Sequence, residues 1–251
     1  MYTIKNIKDS EQITDNLITI NKNVVFNNSF LEIHGINNHL VIEDGSILYN
    51  SSIFLFGNNS YIYLSKCNYA IKVEIYNNSE FFCGKKVGFN GVTNFKVSES
   101  KNIYVGNDCL FSYGISVRTS DAHLIYDLQS RKRLNHSESI VIGDHVWIGQ
   151  NVTILKGTYI GSGCVIGASS MISKKKLTSN SIWAGNPVKQ IRSNIYWNRQ
   201  CTNQFTKDDS LLYEINRFKY YHYIHDNNSF LMKDISISKI LNNSNSNRFS
   251  V

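Results

Sequence analysis

The chain has 251 residues, 42% of them apolar, with one proline and 15 glycines. That is enough for one body with a substantial core, and no apolar run reaches the roughly 20 residues a membrane-spanning helix needs. Lys and Arg number 26 against 19 Asp and Glu, a net charge of +7 that favours anionic partners without naming the anion. The opening MYTIKNIKDSEQ lacks the basic-then-apolar pattern of a signal peptide, so a cytoplasmic location is expected. Cysteines 67, 83, 109, 164 and 201 are odd in number, widely spaced and mostly set in strand-like sequence. They read as reduced core thiols, and no metal site is expected.

From about Val24 to Val117 apolar and polar residues alternate, as in LEIHGINNHLVIEDGSILYN and SSIFLFGNNSYIYLS, with Asn-rich corners between the runs. These are read as loose coils of a ladder. VGNDCL (105–110) and FSYGIS (111–116) bring in a six-residue phase, which is then lost over residues 118–139, RTSDAHLIYDLQSRKRLNHSES. That charged, repeat-free stretch is expected to be a loop thrown out from the coil, and loops on rigid scaffolds often carry function.

Six hexapeptides follow between Ile142 and Leu177: IGDHVW, IGQNVT, ILKGTY, IGSGCV, IGASSM and ISKKKL. Such a period marks a parallel β-helix, in which each unit supplies one short strand and three units close a triangular coil. The leading Ile of each unit should fill the axis. Small fifth residues (Val146, Val152, Thr158, Cys164, Ser170) should let the chain turn each corner, and the glycines at second positions should tolerate the tight backbone. Lys176 breaks the fifth-position rule, so the regular helix is expected to end there. AGNPVKQIRSN should close the ladder, Asp208 to Ile224 has apolar residues at helical intervals, and the tail from Asn242 reads as disordered. The expected organisation is an all-β domain over residues 1–193, with the loop at 118–139, followed by an extension over 194–251 that is helical and then disordered.

IGDHVWIGQNVTILKG followed by AGNPVK resembles the hexapeptide-repeat acyltransferases, which move acetyl groups from acetyl-CoA. RTSDAHLIYD, the RLNH at 133–136 and HVWIGQNVTILKG narrow the likeness to capsule O-acetyltransferases that modify bacterial polysialic acid and related polysaccharides. The likeness covers roughly residues 103 to 200; the flanking segments match in general character only. It implies a left-handed parallel β-helix, a homotrimer with sites between subunits, acetyl-CoA as co-substrate and an anionic capsular polysaccharide as acceptor. No nucleic acid partner is expected.

A sugar hydroxyl is a weak nucleophile near neutrality, so acetyl transfer needs a base to take its proton, and histidine suits that task. Of seven histidines, His123 lies in the loop where the family carries its catalytic histidine, with Asp121, Asp127 or a backbone carbonyl to orient it. His145 is the competitor, read as a residue on the outer surface of a coil and a candidate for acceptor binding. His136 is a lesser candidate for touching the acceptor. Trp147 takes an outward position that needs no large side chain to fill the axis, where the family places a tryptophan beside the acetyl group; structural packing is the alternative.

By the same resemblance, Gly149, Gly167 and Ala168 present backbone groups to pantetheine, while Ser173, Lys174 and Lys175 lie where adenine and phosphates approach. Lys189 and Arg192 are further phosphate partners. Arg118, Arg131 and Arg133 are candidates for the anionic acceptor. No Walker-type or GxGxxG loop accompanies them, which argues against nucleoside triphosphate or NAD chemistry. Two other readings stay open here: acetylation of a small sugar or sugar nucleotide, and a non-catalytic β-helix scaffold.

Overall fold

The computed structural model describes residues 1–215. Its strands stack into three faces. The first runs from Phe30–Ile33 through Ser52–Leu55, Ile71–Ile75, Thr93–Val97, Ser116–Arg118 and Thr153–Leu155 to Met171–Ile172. The second runs from Leu17–Ile20 to Lys176–Leu177, and the third from Val25–Asn27 to Ile182–Ala184 with a break in pairing between Asn68–Tyr69 and Gly88–Phe89. Successive strands on each face pair in parallel, so the chain winds as the expected parallel β-helix, and the Val24–Val117 region does form coils of the same ladder.

Alternation places one residue in two inside. On the first face Leu31, Ile53, Val73, Phe95, Val117, Ile154 and Ile172 stack in register, all with 1% exposure or less. Each such side chain withdrawn from water contributes about 1.5–3 kcal/mol, and the continuous columns are the main source of stability. Early coils advance 19 to 22 residues per turn and later ones 18. The wider early interior is filled by rings: Phe81 lies 4.8 Å from Phe95, and Phe89 lies 5.2 Å from Phe111.

The corners explain the asparagines and the second-position glycines. Asn28, Asn37, Asn50, Asn59 and Asn78 all have φ between 49° and 57°, a region that Asn enters more cheaply than most residues. Gly143 is needed for a different reason: a Cβ there would sit 2.6 Å from Ser162 Oγ, because the next coil presses directly on it.

Both ends of the ladder are capped by antiparallel strands, Tyr2–Ile4 on Phe30–Ile33 and Lys189–Arg192 on Ile182–Ala184, which shield parallel edges from further pairing. The regular helix does not stop at Lys176. Lys176–Leu177 pairs with Tyr159–Ile160, and Ile182–Ala184 adds another strand to the third face. The chain absorbs the irregular hexad by closing that coil one residue short, in 17.

The extension begins by packing back on the helix. Ile195 donates its amide to Asn180, Trp197 sits on His145, and Arg199 reaches Asp108 and the Lys86 carbonyl. Residues 195–199 therefore climb the corner between the second and third faces, across several successive coils. The helix expected over Asp208–Ile224 is present as Lys207–Leu212, started by a Thr206–Asp209 capping box. It ends at Leu212, so residues 213–215 are not helical as expected, and the remainder of that expectation, with the disordered tail, lies outside the described residues. No helix among the described residues is long and apolar enough to cross a membrane.

Candidate active site

The inserted loop leaves the corner between the first and second faces, after Ser116–Arg118 and before Ile140–Ile142. Arg118 is thus the last residue of a strand, paired with Lys96 and Leu155, and the loop proper is 119–139. The tip is a small hairpin: Tyr126 bridges Arg133, and Leu134 donates its amide to Ile125.

Asn135 holds the loop together from inside. Its Nδ2 donates to the His123 carbonyl at 2.7 Å and to Asp121 at 3.2 Å, while its Oδ1 accepts the Ile125 amide at 2.9 Å. Lys156, only 6% exposed, rises from the coil beneath and donates to the Asn135 carbonyl at 3.1 Å and to the Asp121 carboxylate. That ammonium holds the Asp121 carboxyl below the usual carboxylate range. A second strap lies alongside: Arg133 and Ser137 both donate to Glu99, whose carboxyl is pulled down to about 2, chiefly by the guanidinium. Glu99 and Lys156 belong to the same column of corner residues, so the loop is tied to one edge of the prism.

His123 is exposed between these anchors. Neither carboxylate considered for orienting its ring does so: Asp121 is engaged by Lys156 and Asn135, and Asp127 accepts the Ser130 amide and hydroxyl, each at 2.7 Å. The backbone of His123 is fixed through its own carbonyl instead.

Trp147 opens the strand Trp147–Ile148 on the third face, between Leu110 and Val165, and is 41% exposed. The third face lies opposite the corner that carries the loop. Within one chain His123 and Trp147 are therefore on different sides of the prism.

His145 corrects the sequence reading. It is 2% exposed at φ 52°, its Nδ1 lies 2.6 Å from Asp108 Oδ2 and its Nε2 lies 3.1 Å from the Trp197 carbonyl. Both ring nitrogens face acceptors inside the protein, so neither is presented to a substrate. Arg133 is corrected too, since its guanidinium is spent on Glu99. Arg131, at the hairpin tip with φ 58°, and Arg118 are exposed.

Residues 139–174 match the bacterial transferase hexapeptide family, described by six repeats. Over 207 residues, 82% of this chain and 96% of the relative, the protein is 32% identical to a polysialic acid O-acetyltransferase of Neisseria meningitidis. The chain belongs to the polysialic acid O-acetyltransferase family. It is accordingly an enzyme of the O-acetyltransferase class. A polysialic acid O-acetyltransferase of Escherichia coli O1:K1 / APEC is 41% identical over 113 residues, spanning 45% of this chain and 36% of that relative. Two solved structures share the architecture of this family member. The polysialic acid O-acetyltransferase OatWY has a TM-score of 0.63 at 29% identity, covering 80% of this chain and 96% of its own. The polySia-specific acetyltransferase NeuO has a TM-score of 0.60 at 31% identity, covering 79% and 97%.

In this O-acetyltransferase the residues expected to meet acetyl-CoA divide between two edges. Gly149, Gly167 and Ala168 line the corner between the third and first faces, and Ser173, Lys174 and Lys175 line the corner that also bears the loop. The first face separates them. The amides of Gly149 and Gly167 donate to Ile166 and Trp183, and the Gly167 carbonyl already accepts the Ser170 hydroxyl at 2.7 Å. Lys174 pairs with Glu138 at 3.0 Å. Lys175 is turned onto the helix end, donating to the Val188 carbonyl at 2.9 Å with its ammonium 5.3 Å from the Trp183 ring centroid, which corrects its reading as a free phosphate partner. Lys189 and Arg192 are exposed on the terminal antiparallel strand.

Asn135, Lys156, Glu99 and Trp197 were not singled out from the sequence. Lys156 left a trace: ILKGTY is the hexad in which Leu replaces the second-position glycine and the lysine follows it. Trp197 left none, since its place depends on where the chain goes after the last coil.

Proposed function

We propose that this protein transfers the acetyl group of acetyl-CoA to a hydroxyl of an anionic capsular polysaccharide, of polysialic acid type first, and that it works as a homotrimer in the cytoplasm, where acetyl-CoA is available. Kinship with enzymes named for that acceptor supports the reading, and so does the +7 charge with Arg118 and Arg131 exposed near the loop. The observation that carries the catalytic assignment is His123 standing exposed on a loop pinned at 123 and 125 by Asn135, so that the ring is in solvent and its backbone is not free to wander.

In this proposal His123 takes the proton of the sugar hydroxyl as its oxygen bonds to the thioester carbon. The tetrahedral intermediate collapses, the carbon–sulfur bond breaks, and the departing CoA thiolate receives that proton from the imidazolium. No acyl-enzyme forms. The four buried cysteines are not positioned to act as nucleophiles, and burial pushes the Cys109 thiol well up. Trp147 offers an indole face to the sugar or the pantetheine arm.

The separation of His123 and Trp147 supports an assembly with shared sites. A loop at one corner and an indole on the opposite face form one site only if the loop of one subunit meets the third face of a neighbour. The loop is suited to such a contact: Leu124, Ile125, Tyr126 and Leu128 are all more than half exposed. The same arrangement would draw Gly149, Gly167 and Ala168 from one subunit and Ser173 and Lys174 from the next into one acetyl-CoA channel.

The test is incubation with labelled acetyl-CoA and a panel of polysialic acid, a neutral polysaccharide, free sialic acid and a sugar nucleotide. Label is expected in polysialic acid, rising with chain length and falling with added salt as exposed charges are screened. Equal labelling of the neutral polymer, or preference for a small acceptor, overturns the acceptor assignment.

A further inference from the structure

We propose that Trp197 is a positioning residue for Trp147, and that the strap 195–199 belongs to the working site rather than to a passive tail. The inference rests on the reading of Trp147 given above and assigns a part to the start of the extension. Trp197 is 7% exposed and stacks on the His145 ring, with centroids 4.1 Å apart and planes 10° from parallel. The two residues are bonded in both directions: Trp197 Nε1 donates to the His145 carbonyl at 2.9 Å, and His145 Nε2 faces the Trp197 carbonyl at 3.1 Å. His145 is in turn held by Asp108, which also accepts from Arg199 Nε at 2.9 Å. Arg199 completes the clamp by donating from Nη2 to the carbonyls of Lys86 and Cys109.

With Ile195 donating to the Asn180 carbonyl, the strap is therefore fixed at three points on the corner, and what it presents to the third face is the Trp197 indole. Its centroid lies 5.9 Å from that of Trp147 at 44°. Trp147 sits on an open sheet face, 41% exposed, with Leu110 and Val165 above and below it. Those neighbours bound it along the helix axis, while Trp197 bounds it on the side of the corner. Removing that side wall frees the indole to swing about χ1 and χ2, which costs transfer because aligned contacts lose value quickly with misplacement. The buried histidine thus serves the reaction at a distance, as the base on which the wall rests.

The experiment compares Trp197→Ala, Trp197→Phe and Trp147→Ala in the full-length protein. Turnover at saturating acetyl-CoA, KM for acetyl-CoA, the thermal midpoint and acrylamide quenching of Trp147 are measured, the last in a Trp183→Phe background by comparing Trp197→Ala with Trp197→Phe, in both of which Trp147 is the sole tryptophan. Trp197→Ala is expected to lower kcat by about ten- to a hundredfold with little change in KM for acetyl-CoA, and to make Trp147 more accessible to quencher. Trp197→Phe keeps a ring on His145 and should restore most of the turnover and the protection of Trp147. Trp197→Ala with unchanged kcat, while Trp147→Ala is strongly impaired, overturns the positioning role and leaves the Trp147 assignment standing. Full activity of Trp147→Ala sinks the assignment on which the inference rests. Loss of turnover in Trp197→Ala that Phe fails to restore, with a lowered thermal midpoint and unchanged quenching, also overturns it, since the residue then only holds the fold.

Discussion

The carboxamide of Asn135 holds His123 by its backbone: Nδ2 donates to the His123 carbonyl at 2.7 Å, while the other end of the same amide accepts from Ile125 at 2.9 Å. One buried side chain thus substitutes for a strand partner on both sides of Leu124. Lys156 presses on this clamp from the coil below, so the position of the proposed base is transmitted from a regular hexad to an irregular loop.

Removing that clamp should cost activity before it costs the fold. Asn135→Ala is expected to reduce kcat by about tenfold or more, and His123→Ala by about 10²–10⁴-fold, the range of a lost general base. Both variants should keep a thermal midpoint close to the wild type, because neither side chain contributes to the axial columns. Steady-state kinetics beside a calorimetric scan decide it; near-normal turnover of His123→Ala removes the histidine from the chemistry.

A site shared between subunits predicts complementation. Proteins carrying His123→Ala or Trp147→Ala alone should each be inactive, yet trimers reassembled from a mixture of the two should regain activity, since some interfaces then combine an intact loop with an intact third face. Sedimentation gives the oligomeric state of the same samples. A fully active monomer contradicts the arrangement.

The strap on Glu99 should be acid-sensitive within a defined window. Its carboxyl is lowered from the ordinary 4.5 to about 2, so the stabilisation is present above pH 4.5 and is lost as pH falls toward 2. Both partners are partly exposed, which keeps the effect modest. Amide exchange across residues 131–137, relative to the intrinsic rate at each pH, should accelerate through that window in the wild type. In Glu99→Gln it should be fast already at pH 6, and equal protection in the two proteins at pH 6 rules out the strap.

Thiol accessibility tests the packing of the columns. Cys67, Cys83, Cys109 and Cys164 are buried and unpaired, and Cys201 is exposed. Burial pushes the Cys164 thiol up to about 11, and the other buried thiols are raised as well. A disulfide-exchange reagent at pH 8 should therefore titrate one thiol rapidly in the native protein and five in denaturant. Rapid native reaction of two or more shows a looser interior than described.

The ladder was legible because its information is local and repeated. An isoleucine every six residues, asparagine where φ must turn positive, and alternation in between each declare inside, corner and outside from a short window of chain. What lay outside such windows was decided only in three dimensions. His145 sits at a hexad position that should face solvent, and it is buried because a tryptophan 52 residues later returns to cover it. Arg133 looked available for an anionic acceptor until Glu99, 34 residues away, came to lie in the same corner column. His123 and Trp147 are close in sequence, yet the winding of the coil sets them on opposite sides, because half a turn around a triangular prism leads from a corner to the face across it. Residue type and spacing were sufficient for the repeat and for placing His123 on the inserted loop. Which charges are spent and which rings are covered depended on long-range returns of the chain, which no local pattern encodes.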